Sequence, residues 1–195
     1  LNRVTGHDPS QLLGNLGSNG SVWLVNSYGV LFGPEARIDV AGLTVSSLDI
    51  SNIDFLANRY HFHSTGDTGE VKNQGEIRTS FGGRVWLTGD RVQNEGMILA
   101  SGGQIVLAAG KSIEFIDSGA PNVVVRVKAP ENEAVNLGSM VASSGNIDVH
   151  GSIVNQAGII RANSIGTDAS GRIVLRADQV TFAANSQTQT DKGFI

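Results

Sequence analysis

The chain has 195 residues, 40% hydrophobic and 16% charged, with 25 glycines, 4 prolines and no cysteine. That length sustains one continuous core, and the apolar share sets the chain apart from disordered sequences. A formal net charge of −4 offers no basic excess for nucleic acid or an acidic membrane surface, and the lack of cysteine excludes disulfides and thiolate metal sites.

The opening Leu1-Asn2-Arg3-Val4-Thr5-Gly6 carries no basic stretch followed by an apolar one, so it reads as the interior of a longer protein whose signal lies upstream. Pro9 to Leu16 is the one place with helical spacing, where Ser10-Gln11-Leu12-Leu13 has room for a single turn. From Gly20 a motif begins: glycine, any residue, apolar, any residue, apolar. Its copies are Gly20-Ser21-Val22-Trp23-Leu24, Gly83-Arg84-Val85-Trp86-Leu87, Gly103-Gln104-Ile105-Val106-Leu107, Gly145-Asn146-Ile147-Asp148-Val149 and Gly171-Arg172-Ile173-Val174-Leu175. Strict alternation marks a strand with one buried face.

A second motif interleaves with the first. It reads Asn73-Gln74-Gly75-Glu76-Ile77, Asn94-Glu95-Gly96-Met97-Ile98 and, with one extra residue, Asn155-Gln156-Ala157-Gly158-Ile159-Ile160. Asn-x-Gly suits a turn. Asn73 to Asn94 spans 21 positions and Gly83 to Gly103 spans 20. One unit of that length, with two strands and two turns, is one coil of a β-solenoid. Stacked coils place Val22, Val85, Ile105, Ile147 and Ile173 in one interior ladder, and Leu24, Leu87, Leu107, Val149 and Leu175 in a second. The turn asparagines are placed to stack their amides along the axis. Residues 52–68 and 116–140 break the rhythm and are read as insertions in a single domain covering 1–195. The fold expected is all-β: a right-handed, single-stranded parallel β-helix with extra-helical strands.

Pro9-Ser10-Gln11-Leu12-Leu13-Gly14, the run Asn19 to Asn26, Gly29 to Val40 and Leu43 to Ile50 together carry a family resemblance. The sequence resembles the haemagglutination-activity domain of two-partner secretion exoproteins, such as filamentous haemagglutinin and the high-molecular-weight adhesins. The repeats from Asn73 to Phe115 fit the same family's coils, and the likeness thins after Ile116. The resemblance implies export through the periplasm of a Gram-negative bacterium to the cell surface or medium. It implies as partner an outer-membrane β-barrel transporter with periplasmic recognition domains. The family's Asn-Pro-Asn-Gly turn falls on Asn26-Ser27-Tyr28-Gly29, which keeps the first asparagine and the glycine and replaces the middle pair. Asn26 and Gly29 are therefore the candidate recognition residues.

Trp23, Trp86, Val106 and Val174 occupy the outward position of the repeated strand, with Asp148 as the polar exception. Such a row is a docking face for a partner or for an extra-helical strand pair. His61 and His63 share one strand face but lack a third metal ligand. Asp39, Asp49, Asp54, Asp90, Asp148 and Asp178 fall at different phases of the repeat, so no carboxylate pair is set for glycoside chemistry. The reading adopted is a non-catalytic secretion and scaffold domain of an exported adhesin, with no cofactor and with the host surface or a second copy as further partners. A self-assembling filament subunit and a β-helical polysaccharide-active enzyme stay open as alternatives.

Overall fold

A computed structural model describes residues 1–66, 68–117, 123–128, 133–163, 171–191, 193 and 195, with residues 117 and 123–128 described by backbone alone. The chain winds as a right-handed parallel β-helix, and each complete coil has three strands, not the two that the repeat suggests. One face is a seven-stranded parallel sheet of Ser10–Leu12, Val30–Phe32, Glu70–Asn73, Arg91–Asn94, Glu133–Asn136, Ile153–Gln156 and Gln179–Phe182. The other two faces share a 12-stranded sheet, because Asn15–Val25 and Arg37–Ser46 run unbroken across the corner between them. Glu76–Thr79, Met97–Leu99, Ser139–Val141, Ile159–Arg161 and Gln187–Gln189 extend the second face. Arg84–Gly89, Gln104–Ala109, Asn146–His150 and Arg172–Arg176 extend the third.

The interior is built from columns. Val22, Leu43, Val85, Ile105, Ile147 and Ile173 pair in unbroken register, as do Leu24, Val45, Leu87, Leu107, Val149 and Leu175. Leu43 and Val45 interpose a coil between Val22 and Val85 that the glycine motif hides, because Gly42 stands directly before Leu43 instead of two residues ahead of it. The first face contributes Val30, Val71, Val92, Ala134, Val154 and Val180. Each buried aliphatic side chain stabilises by about 1.5–3 kcal/mol.

Asn73, Asn94 and Asn136 lie at the ends of first-face strands, and all point inward and are buried. Asn73 Nδ2 donates to Asn94 Oδ1 at 2.8 Å, Asn94 Nδ2 to Asn136 Oδ1 at 2.9 Å, and Asn136 Nδ2 to Gln156 Oε1 at 2.8 Å. Each carboxamide thus satisfies its neighbour's, which makes polar burial tolerable. At the adjoining corner Gly75, Gly96, Gly138 and Gly158 stack closely: a Cβ on Gly96 would lie 2.1 Å from the Gly75 carbonyl oxygen.

Among the described residues two excursions leave the winding, both between the third face and the first. One carries Asp49–Ile50, a short helix Asn52–Leu56 and Tyr60–His63; the other carries Ser112–Asp117 and Val123–Lys128. Together they form a four-stranded antiparallel sheet in the order Val123–Lys128, Ser112–Asp117, Tyr60–His63, Asp49–Ile50. The second excursion begins before Ile116, and the chain rejoins the first face at Glu133. The Pro9 to Leu16 stretch is not helical: Ser10–Leu12 is a strand, since pairing with Val30–Phe32 satisfies its backbone better than one isolated turn.

Candidate functional site

Two regions gather the residues singled out from the sequence. The first is the turn after the third-face strand of the early coils. Asn26 is fully buried. Its Nδ2 donates to the Asp8 carbonyl at 3.0 Å and to Ser10 Oγ at 2.9 Å, while its Oδ1 accepts from the Tyr28 backbone N–H at 2.9 Å. Gly29 closes the turn by donating to the Asn26 carbonyl at 2.9 Å. It adopts φ +103, and a Cβ there would lie 2.7 Å from the Glu70 carbonyl oxygen. Asn26 therefore holds the coil before it, and Gly29 admits the coil after it. Both residues are buried. The side chain that the turn presents is Tyr28, 44% exposed, with the His7 ring 5.2 Å away. Sequence reasoning missed both, although Tyr28 is one of the residues by which this turn departs from the family's.

The second region is the outer side of the third face. The antiparallel sheet lies across it and buries Leu48, Ile50, Phe62, Ile113 and Phe115 with Val25, Trp86, Val106 and Ala108. Trp86 stacks on Phe115 with ring centroids 4.2 Å apart and planes 5° from parallel. Trp23 meets Tyr60 at 5.1 Å, Phe55 at 5.3 Å and Trp86 at 6.1 Å. Val174 is half-buried. Trp23, Trp86 and Val106 thus dock the chain's own excursions.

A polar relay continues along this face. Trp86 Nε1 donates to Gln104 Oε1 at 3.3 Å, Gln104 Nε2 to Asp148 Oδ2 at 2.9 Å, and Arg172 Nη2 to Asp148 Oδ1 at 3.1 Å. Burial raises the Asp148 carboxyl above its ordinary range, against the hydrogen bond from Gln104 and the charges of Arg172 and Arg176. Burial also pushes His150 down to about 4, with Arg176 and Arg172 adding to the effect. Asp49 pairs with Arg3 at 2.9 Å and Asp54 with Arg59 at 2.9 Å. His61 and His63 stand 6.0 Å apart, and His61 Nε2 is 3.1 Å from Ser112 Oγ. Among the described residues no group of three or more His, Asp or Glu side chains is placed to hold a metal.

A three-faced parallel β-helix, capped along one face by its own antiparallel sheet, defines a solenoid scaffold module. The model of the TPS secretion domain family matches residues 1–195, and the chain belongs to that family. It is a non-catalytic family whose members are exported by two-partner secretion in Gram-negative bacteria, with an outer-membrane transporter as partner. The chain is 34% identical over 178 residues to a heme/hemopexin-binding protein of Haemophilus influenzae, which covers 88% of the chain and 18% of that protein. A second heme/hemopexin-binding protein from that species is 38% identical over 74 residues, 38% of the chain and 8% of the relative. The crystal structure of the HMW1 secretion domain from Haemophilus influenzae superposes with a TM-score of 0.82 at 44% identity, covering 89% of this chain and 47% of that one. The chain thus spans less than a fifth of the length of the first of these relatives.

Proposed function

We propose that this domain presents an exported protein to its outer-membrane transporter and then nucleates β-helix folding outside the cell. The observation that carries the reading is the pairing of Asn15–Val25 with Arg37–Ser46. It runs across two faces from Asn15↔Arg37 to Val25↔Ser46, with one register shift between Ser18 and Ser21. Two coils clamped over that length form a template on which each later strand adds one parallel neighbour. The same module stands in proteins with different names, a heme/hemopexin-binding protein and HMW1, which favours a shared task in export over a shared ligand. The parent's own surface activity, adhesion or the binding of a haem carrier, belongs in this reading to the chain outside the module.

Recognition rests on the Asn26–Gly29 turn, whose exposed Tyr28 and neighbouring His7 are what a periplasmic domain of the transporter meets first. The test is secretion of a parent protein carrying Ile105→Asp or Tyr28→Ala. Ile105→Asp puts a carboxylate into the interior column and should abolish folding and export together; normal export would overturn nucleation. Tyr28→Ala should leave the purified domain's unfolding midpoint unchanged and cut export; unchanged export would overturn recognition at this turn.

A further inference from the structure

The second complete coil leaves a notch in the outer side of the third face. Its outward residues there are Gly42 and Thr44, set in register between Ser21 and Arg84 and between Trp23 and Trp86. Small side chains between large ones leave a cavity of about 190 Å³, lined by Ser21, Trp23, Thr44, Gly83, Arg84 and Trp86 among others. Ser21, Gly82 and Arg84 are exposed at its mouth, and Thr44 is 5% exposed at its floor.

We propose that this notch binds a carboxylated sugar ring. The Arg84 guanidinium lies 4.7 Å from the Trp86 ring centroid, and Phe115 stacks on the same ring at 4.2 Å. Stacking holds the planar fork in place and leaves its N–H edges free for a carboxylate. Among the described residues Arg84 forms no ion pair, and neither the Thr44 hydroxyl nor the Trp23 indole N–H has a hydrogen-bond partner. The donors therefore exceed what the protein uses, and hydroxyls beside an aromatic edge suit a polyol. The volume is well below the roughly 300–1,000 Å³ of sites for drug-sized molecules, so it suits a single ring. It exceeds what a bare carboxylate fills. The overall charge of −4 does not set the local preference, since no acidic side chain lines the notch.

The test is titration of the purified chain with D-glucuronate, D-glucose and acetate, followed by the NMR signal of the Trp23 indole N–H. Glucuronate should shift it saturably in the millimolar range, at least fivefold more tightly than either glucose or acetate. Arg84→Gln should weaken glucuronate at least tenfold and leave glucose unchanged. Should Arg84→Gln disturb folding, Arg84→Lys is read instead; it keeps the charge, loses the fork and should still weaken glucuronate severalfold. Acetate equal to glucuronate would reduce the notch to an anion contact and overturn the proposal. Glucose equal to glucuronate, an unmoved Trp23 signal, or an Arg84 variant that binds as the parent does would each overturn it too.

Discussion

The side-chain amide of Asn73 donates to the carboxamide oxygen of Asn94 one coil further on, at 2.8 Å and away from water. This bond runs along the solenoid axis, beside the backbone ladder. Asn94→Ala removes the acceptor of one such bond and the donor of the next, leaving buried polar atoms on Asn73 and Asn136. An unsatisfied buried group costs about 1–3 kcal/mol. The urea midpoint should fall accordingly, whereas Gln93→Ala, on the half-buried outer side of the same strand, should move it much less.

Trp86 and Phe115 join winding and cover. Phe115→Ala should cost about 3–5 kcal/mol, the usual range for a buried aromatic. The loss should fall unevenly. Amide exchange should rise most in Tyr60–His63 and Ser112–Asp117, while Ile105 and its interior neighbours stay protected. Equal loss of protection throughout would mean that the cover and the winding unfold as one unit.

Gly96 and Gly6 provide a matched pair. A Cβ on Gly96 would sit 2.1 Å from the Gly75 oxygen, whereas one on Gly6 would meet nothing within 4 Å. Gly96→Ala must push two coils apart at that corner and should destabilise by more than 2 kcal/mol, on the order of an overpacked core. Gly6→Ala should be neutral within about 0.5 kcal/mol. Thermal unfolding of the two variants separates them.

Acid should weaken the fold partly through His150. Its folded value is about 4 against 6.5 in the unfolded chain. Between those values the unfolded state takes up a proton that the folded state refuses, so stability falls as pH drops from 6.5 towards 4. The full effect is about 3 kcal/mol, at 1.36 kcal/mol for each pH unit between the two values. Asp148 acts in the opposite sense: its raised value means that its burial costs least when it is protonated, and that stability is lost as pH rises through the folded value. His150→Gln should flatten the loss between pH 6.5 and 4 in denaturation curves taken across that range, and an unchanged slope would remove His150 from the account.

The sequence showed the interior well where alternation was strict. Gly103 to Leu107 and Gly145 to Val149 announce their own columns. The first face was invisible because its three central strands carry one aliphatic and one asparagine inward, as in Val92 and Asn94, and a polar inward residue imitates a turn. The helix Asn52–Leu56 did leave a signal: Ser51 caps it by accepting from the Asp54 backbone N–H, at the serine-x-x-acid spacing of a capping motif. The cover over Trp86 was not legible in its particulars. Phe62 comes from a segment with no repeat and Phe115 from the very end of the repeats, and only tertiary pairing brings them to the same face. The notch at Thr44 depends likewise on register between coils of unequal sequence.

Both excursions depart from the same edge of the triangle, between the third face and the first, and the chain resumes its stacking after each without a change of register on the first face. Length is thus gained twice at this seam, while the corner between the first face and the second stays tight where Gly75, Gly96, Gly138 and Gly158 stack. A lineage, or an engineer, has in this seam a place to graft new loops without rewriting the spool beneath them.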